Sequence, residues 1–162
     1  MSGHTIYRLG PDDWQRARAV RLRALEDEPD AFGSTVEREL EFSDAKWKAR
    51  LEPAEVATFV ATSEESEDIG LVTSAPYDGC AGLFSMWVAA SVRGVGVGAG
   101  LVGAVVAWAK GQGHERVLLD VGDHNGAAIA LYRKMGFRRT GVTGTLPPPR
   151  QHITEHQREL AL

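Results

Sequence analysis

Apolar residues along this chain switch repeatedly between a period of two and a period of three to four, and the switches mark out alternating strands and helices. Residues 5–9 read as a short strand closed by Gly10 and Pro11, with Asp12 or Asp13 placed to cap a helix. Trp14, Ala17, Val20 and Ala24 then recur at helical spacing, with Arg16, Arg18, Arg21 and Arg23 distributed around them as a solvated set. After a break at residues 28–34, a second helix is expected over about 36–50, with Ser43 as an internal cap. Residues 55–62 and 69–73 form a strand pair joined by the acidic turn 64–68. The strand 81–90 runs into a glycine-rich turn. Beyond it Leu101, Val102, Val105, Trp108 and Ala109 form an apolar helical stripe, with Trp108 expected in the core. Gly111 and Gly113 end that helix, and 116–121 has the continuous apolar character of a buried parallel strand. Asn125 opens a third helical pattern carrying Ala128, Leu131, Tyr132 and Met135, stopped by Gly136. Strands at 137–142 and 153–162 come next, separated by the loop Leu146-Pro147-Pro148-Pro149-Arg150.

The glycine turn carries the first chemical signal. In Arg93-Gly94-Val95-Gly96-Val97-Gly98, glycines lacking Cβ let the backbone approach a ligand and turn several N–H groups toward one point, at a helix N-terminus where anions are favoured. It reads as a pyrophosphate cradle. Turns also collect glycine for purely geometric reasons, so the downstream sequence has to decide. Gly98-Ala99-Gly100-Leu101-Val102-Gly103 matches G-x-G-x-x-G, and Asp120 lies 22 residues beyond Gly98, as in a dinucleotide fingerprint. That fingerprint needs its first glycine at the end of the strand, whereas Gly98 is already entering the helix. The 42 residues after Asp120 are also too few to complete a doubly wound domain.

Composition narrows the classes. The 162 residues, 43% hydrophobic and 25% charged, suit one ordinary domain spanning 1–162. Cys80 is the single cysteine, so neither an intrachain disulfide nor a multi-cysteine zinc site is available, and a reducing cytoplasmic setting is expected. Residues 1–5 lack a basic region followed by an apolar one, and no stretch reaches the ~18 apolar residues of a membrane span. A net charge of −4 without a basic run argues against a nucleic-acid partner. His152 and His156, four apart on the expected last strand, would be ~13 Å from each other, too far to share a metal. Cys80 has no local histidine pair and reads as structural. The acidic runs at 26–30 and 64–68 read as solvated turns.

Arg93-x-x-Gly96-x-Gly98 after an apolar strand, followed by Asn125-x-x-Ala128-x-x-x-Tyr132-x-x-x-Gly136-Phe137, closely resembles the paired signatures of the GNAT superfamily of N-acetyltransferases. The resemblance is strong over about residues 82–142 and weaker at residues 30–35 and Trp47. It implies an α+β (three-layer α/β) fold with a mixed, mostly antiparallel sheet, splayed fourth and fifth strands and flanking helices. Acetyl-CoA would enter as cosubstrate between those strands, with no metal.

By that resemblance, the N–H groups of Gly94, Val95, Gly96, Val97, Gly98 and Ala99 would hold the pyrophosphate, with charge from Arg93. Trp87, Val88 and Ala89 would bond the pantetheine amides. The Val88 N–H would stabilise the oxyanion, and Tyr132 would be the general acid for the leaving thiolate. Asp120 stands where some relatives carry a base. It is equally placed to cap a turn or orient residues 122–124. Asn125 either caps its helix or contacts the CoA arm, or does both. The implied reaction is direct attack of a deprotonated amine in a ternary complex, on a small-molecule or protein amine. Specificity is expected near residues 32–37 and 143–152, and homodimers are common among such proteins. A non-catalytic acyl-CoA sensor is the rival from another class.

Overall fold

The computed structural model describes residues 3–162; Met1 and Ser2, on which part of the reading of the N-terminus rests, lie outside the described residues. Seven strands, β1 (His4–Leu9), β2 (Ala57–Ser63), β3 (Asp68–Tyr77), β4 (Cys80–Val88), β5 (Arg116–Gly122), β6 (Arg138–Thr145) and β7 (Thr154–Ala161), form one sheet in the order β1-β2-β3-β4-β5-β7-β6. Every neighbouring pair is antiparallel except β4–β5. The helices are α1 (Trp14–Asp27), α2 (Val36–Leu40), α3 (Asp44–Ala49), α4 (Val97–Gly111) and α5 (Gly126–Lys134). This is the mixed, mostly antiparallel sheet with flanking helices that the resemblance implied. None of the helices among the described residues is long and apolar enough to cross a membrane.

Strand alternation places the helices. Thr62 receives Arg16 of α1, while a Cβ on Gly70, across from Ala61, would meet Leu101 and Val97 of α4. Successive residues of a strand face opposite sides, so α1 covers one face and α4 the other. Helix α5 shares the α4 face, because its Leu131 lies where a Gly98 side chain would go. Residues 57–62 of β2 are accordingly all buried, as a strand covered on both faces requires.

The strands β4 and β5 share only two register pairs, Ala81↔Val117 and Gly82↔Leu118, and diverge beyond them. Part of the cause is on the β3 side of β4. Pairing jumps from Thr73↔Phe84 to Leu71↔Trp87, so Ser85 and Met86 together oppose Val72 in a β-bulge, with Ser85 at φ +61°. A bulge bends its strand, and here it does so where β4 leaves β5.

Three expectations change. The helix expected over about 36–50 is two short ones, because the side chains of Thr35 and Ser43 each accept a backbone N–H three residues on and start a new helix. Trp108 sits at the rim, half-buried against the core rather than within it, with His114 beside it. The last strand begins at Thr154, which leaves His152 in the preceding turn, off the strand that carries His156.

Below the split, the Tyr77 side chain crosses over Gly82 from β3 to β5, stacked on Phe84. A Cβ on Gly82 would collide with Phe84 Cε2 and lie 2.9 Å from Tyr77 Cβ. The Phe84 ring can yield but Tyr77 Cβ is fixed to its backbone. Gly82→Ala is therefore expected to destabilise the protein by about 1–3 kcal/mol, read as a lower urea midpoint at unchanged slope.

Candidate active site

The glycine turn has the conformation its sequence demands. Gly94 and Gly96 sit at φ +85° and +90°, where a side chain would be strained but would meet no neighbour within 4 Å. Gly98 is closely packed instead, since its Cβ would lie 2.9 Å from Leu131 Cδ2 of α5, which would have to shift. Gly103, third glycine of the apparent dinucleotide fingerprint, faces open space, so no close contact calls for it. Gly96 is the N-cap of α4 and supplies no side-chain acceptor; the first helical bond runs from Gly100 N–H to Gly96 O at 3.0 Å. The N–H groups of Val97, Gly98 and Ala99 are thus left at the positive end of a 15-residue helix.

Arg93, expected to add charge at this turn, is engaged elsewhere. Its Nη2 lies 2.5 Å from Glu28 Oε1, and its Nε donates to Val88 O at 3.1 Å. Glu28 and Asp27, read from sequence as solvated, hold Arg93 and the Trp87 Nε1 respectively. Ala89 N–H donates to Ile69 O at 2.9 Å, so by the alternation of an antiparallel ladder the Val88 N–H points the other way, into the gap between β4 and β5.

A cavity of about 350 Å³ opens at that gap. Its walls include Ser85 and Met86 of the bulge, Asp120 of β5 and Glu155 of β7, Asn125 and Tyr132 of the α5 segment, and two loops, residues 30–34 and 146–147. Arg150 binds these loops together, donating to the carbonyls of Pro29 and Ser34. The structure thus brings parts of both expected specificity segments to one end of the cavity.

Tyr132 reaches this space from the α4–α5 face and is 4% exposed. Its hydroxyl has no hydrogen-bond partner among the described residues and opens onto the cavity. Burial pushes the phenol above its ordinary pKa, so it is protonated at neutral pH. Its ring packs edge-on against Phe137, the last residue of the second signature. Asn125 caps α5 through Oδ1, which accepts from Ala128 N–H at 3.2 Å.

Among the described residues, the Asp120 side chain makes no hydrogen bond to a turn or to residues 122–124. Its Oδ2 accepts from Tyr77 OH at 2.8 Å; Tyr77 OH accepts from Gln157 Nε2 at 2.9 Å; and Gln157 Oε1 accepts from Thr140 Oγ1 at 2.7 Å. A chain of neutral groups from three other strands therefore holds one carboxylate oxygen at the cavity wall. Glu155 lies on the same face of β7, and burial, then the nearby Asp120 charge, raises its pKa.

Sequence reasoning missed the opposite wall. The arginines of α1, expected to be solvated, are mostly engaged: Arg16 pairs with Asp68 and Arg23 lies over the Trp87 ring. Arg21 forms a two-point pair with Glu39, both contacts 3.0 Å, and donates to Ser85 Oγ at 2.7 Å. Arg50 takes Glu39 from the other side at 2.9 Å. Burial would raise the Glu39 pKa, but the two guanidinium groups outweigh it and hold the carboxyl at about 2. A charged residue at every second or third position of an arginine-rich helix gives no sign of which one turns inward.

Cys80, by contrast, is remote from this chemistry, with Arg116 Nε 3.1 Å from its sulfur. His156 pairs with Asp123 at 2.9 Å, and no group of three or more potential ligands among the described residues is arranged to hold a metal.

A model of the Acetyltransferase (GNAT) family matches residues 20–137. N-acetyltransferase 8 of Homo sapiens is 37% identical over 89 residues, 51% of this chain and 39% of that protein. A Bacillus subtilis protein described as uncharacterized N-acetyltransferase YobR is 38% identical over 80 residues, 49% of this chain and 32% of that protein. The chain thus spans about a third of the length of these curated relatives. An acetyltransferase of the GNAT family from Streptococcus pneumoniae has the same fold, with a TM-score of 0.78 at 18% identity over 99% of this chain and 100% of that one.

Proposed function

The chain belongs to the acetyltransferase (GNAT) family, and from that premise we propose that it is an N-acetyltransferase that moves an acetyl group from acetyl-CoA to a primary amine by direct attack in a ternary complex. The observation that carries the reading is the junction of two features. An uncapped helix N-terminus with free N–H groups is packed, through Gly98 against Leu131, onto the helix whose next residue, Tyr132, presents an unpartnered hydroxyl to the cavity.

Acetyl-CoA supplies the acyl group already activated as a thioester. The residues fit it: the N–H groups of residues 95–99 suit a pyrophosphate, Trp87, Val88 and Ala89 border the gap, and Asn125 stands at its mouth. Asp120, kept accepting by Tyr77, takes the proton that an ammonium must lose before its nitrogen can attack. The Val88 N–H faces the carbonyl oxygen as it becomes an oxyanion. Tyr132 returns a proton to the departing sulfur. A phenol is a weaker acid than a thiol, with reference values of about 10 and 8.5, and a dry site raises both, so the transfer is completed as the nitrogen, cationic after attack, gives its second proton back to the phenol oxygen.

Calorimetric titration with acetyl-CoA, with NADH as control, tests the reading; acetyl-CoA alone is expected to bind. Gly96→Asp is expected to weaken that binding more than tenfold, because aspartate at φ +90° is strained and adds negative charge where an anion must sit. Unchanged affinity in the variant would remove the turn from the site. Tight binding without thiol release in the presence of any amine would favour a sensor over an enzyme.

A further inference from the structure

Family membership leaves the acceptor open. Resting on the acetyl-transfer reading, we propose that the acceptor is a small linear diamine or polyamine, whose reacting ammonium sits between Asp120 and Tyr132 while a second ammonium is held by Glu155, with Asp30 available to a third.

Three carboxylates, Asp30, Asp120 and Glu155, line the cavity, and none of them forms an ion pair with a described residue. The cations nearby are committed. Arg21, which lines the same cavity, spends its donors on Glu39 and Ser85. Arg150 approaches Glu155 but donates to the carbonyls of Pro29 and Ser34. His124 is the other basic group at the wall; its ring folds back over Gly122.

The carboxylates are also spaced for such a ligand. Asp120 pairs with Gln157, and Glu155 is two residues before Gln157 on the same face. Diagonal neighbours of this kind stand roughly 7 Å apart, the reach of a four-carbon diamine. The nearly buried Tyr132, its hydroxyl unpartnered, independently points to a ligand in the same space. Burial, then the nearby Asp120 charge, raises the pKa of Glu155, and an ammonium bound beside it would draw that pKa back down. An acceptor bearing its own carboxylate would meet three like charges, whereas a monoamine, with no second ammonium, would leave Glu155 and Asp30 unused.

The test compares 1,4-diaminobutane with 1-aminobutane. Each is titrated calorimetrically into the protein without acetyl-CoA and then assayed by thiol release with it. The diamine is expected to bind measurably and to show a kcat/KM at least tenfold above the monoamine. Glu155→Gln and, separately, the exposed Asp30→Asn should lower that ratio chiefly through KM, with Glu155→Asp retaining part of it. Equal kcat/KM for the two amines, or faster acetylation of a neutral peptide's N-terminus, overturns the proposal while leaving acetyl transfer intact. If acetyl-CoA does not bind but the diamine does, in a Glu155-dependent way, the acetyl-transfer reading fails and the cation site stands. Binding of neither amine, with no preference in turnover, ends the inference.

Discussion

Replacing Tyr132 with phenylalanine is expected to lower kcat by about 10²-fold or more while leaving the affinity for acetyl-CoA unchanged. The substitution isolates chemistry from structure unusually well. The hydroxyl bonds to no described residue, so its removal breaks nothing in the fold, and the ring that packs against Phe137 remains. The oxygen faces the cavity and bonds no protein group, so its loss should leave the urea midpoint nearly unchanged. Stopped-flow or steady-state thiol release, set beside calorimetry of the same protein, checks both halves. Full turnover in the variant would mean that water, not Tyr132, protonates the leaving sulfur.

Glu39→Ala should have the largest effect on stability, a loss of about 3–5 kcal/mol, because it strips the shared partner from two guanidinium groups, one of them on a side chain only 12% exposed. Turnover should fall too, since Arg21 then no longer has a fixed position from which to hold Ser85 at the bulge. The pH dependence has a definite sign. The folded-state pKa of Glu39, about 2, lies below its ordinary 4.5. Its contribution is therefore complete above pH 4.5 and disappears as the pH falls from there toward 2, about 3 kcal/mol in all. Urea midpoints measured across that window should drop further in the wild-type protein than in Glu39→Gln. Parallel curves would show that the carboxylate is not the group that titrates.

What could be read from sequence was what local backbone geometry enforces. Gly94 and Gly96 are glycine because of φ, and Asn125 precedes α5 because its side chain caps it, so both were visible within a few residues of themselves. The same holds for Ser43, whose capping role shows as an interruption in a helical pattern. Glu155, Tyr77 and Arg21 were invisible for a common reason. Each becomes part of the cavity through register between strands or helices far apart in the chain. Glu155 meets Asp120 only because β7 inserts between β5 and β6, and no period within residues 153–162 announces that order. Arg93 departs from expectation because a motif assigns its charge to a ligand, whereas Glu28, 65 residues away in the chain, takes it in the fold. The His152 spacing fails more simply, at a strand boundary that begins after it.

The two-rung seam between β4 and β5 has a mechanical meaning. Backbone pairing alone would leave the sheet as two plates, β1 to β4 and β5 to β7 with β6, joined along a line two residues long. Tyr77 is rooted in the first plate and bonded to Asp120 and Gln157 of the second, directly above that line. It therefore acts as a tie-rod across the joint. The angle at which the wedge stands open, and with it the width offered to anything lodged there, is set by the same phenol that fixes the orientation of Asp120.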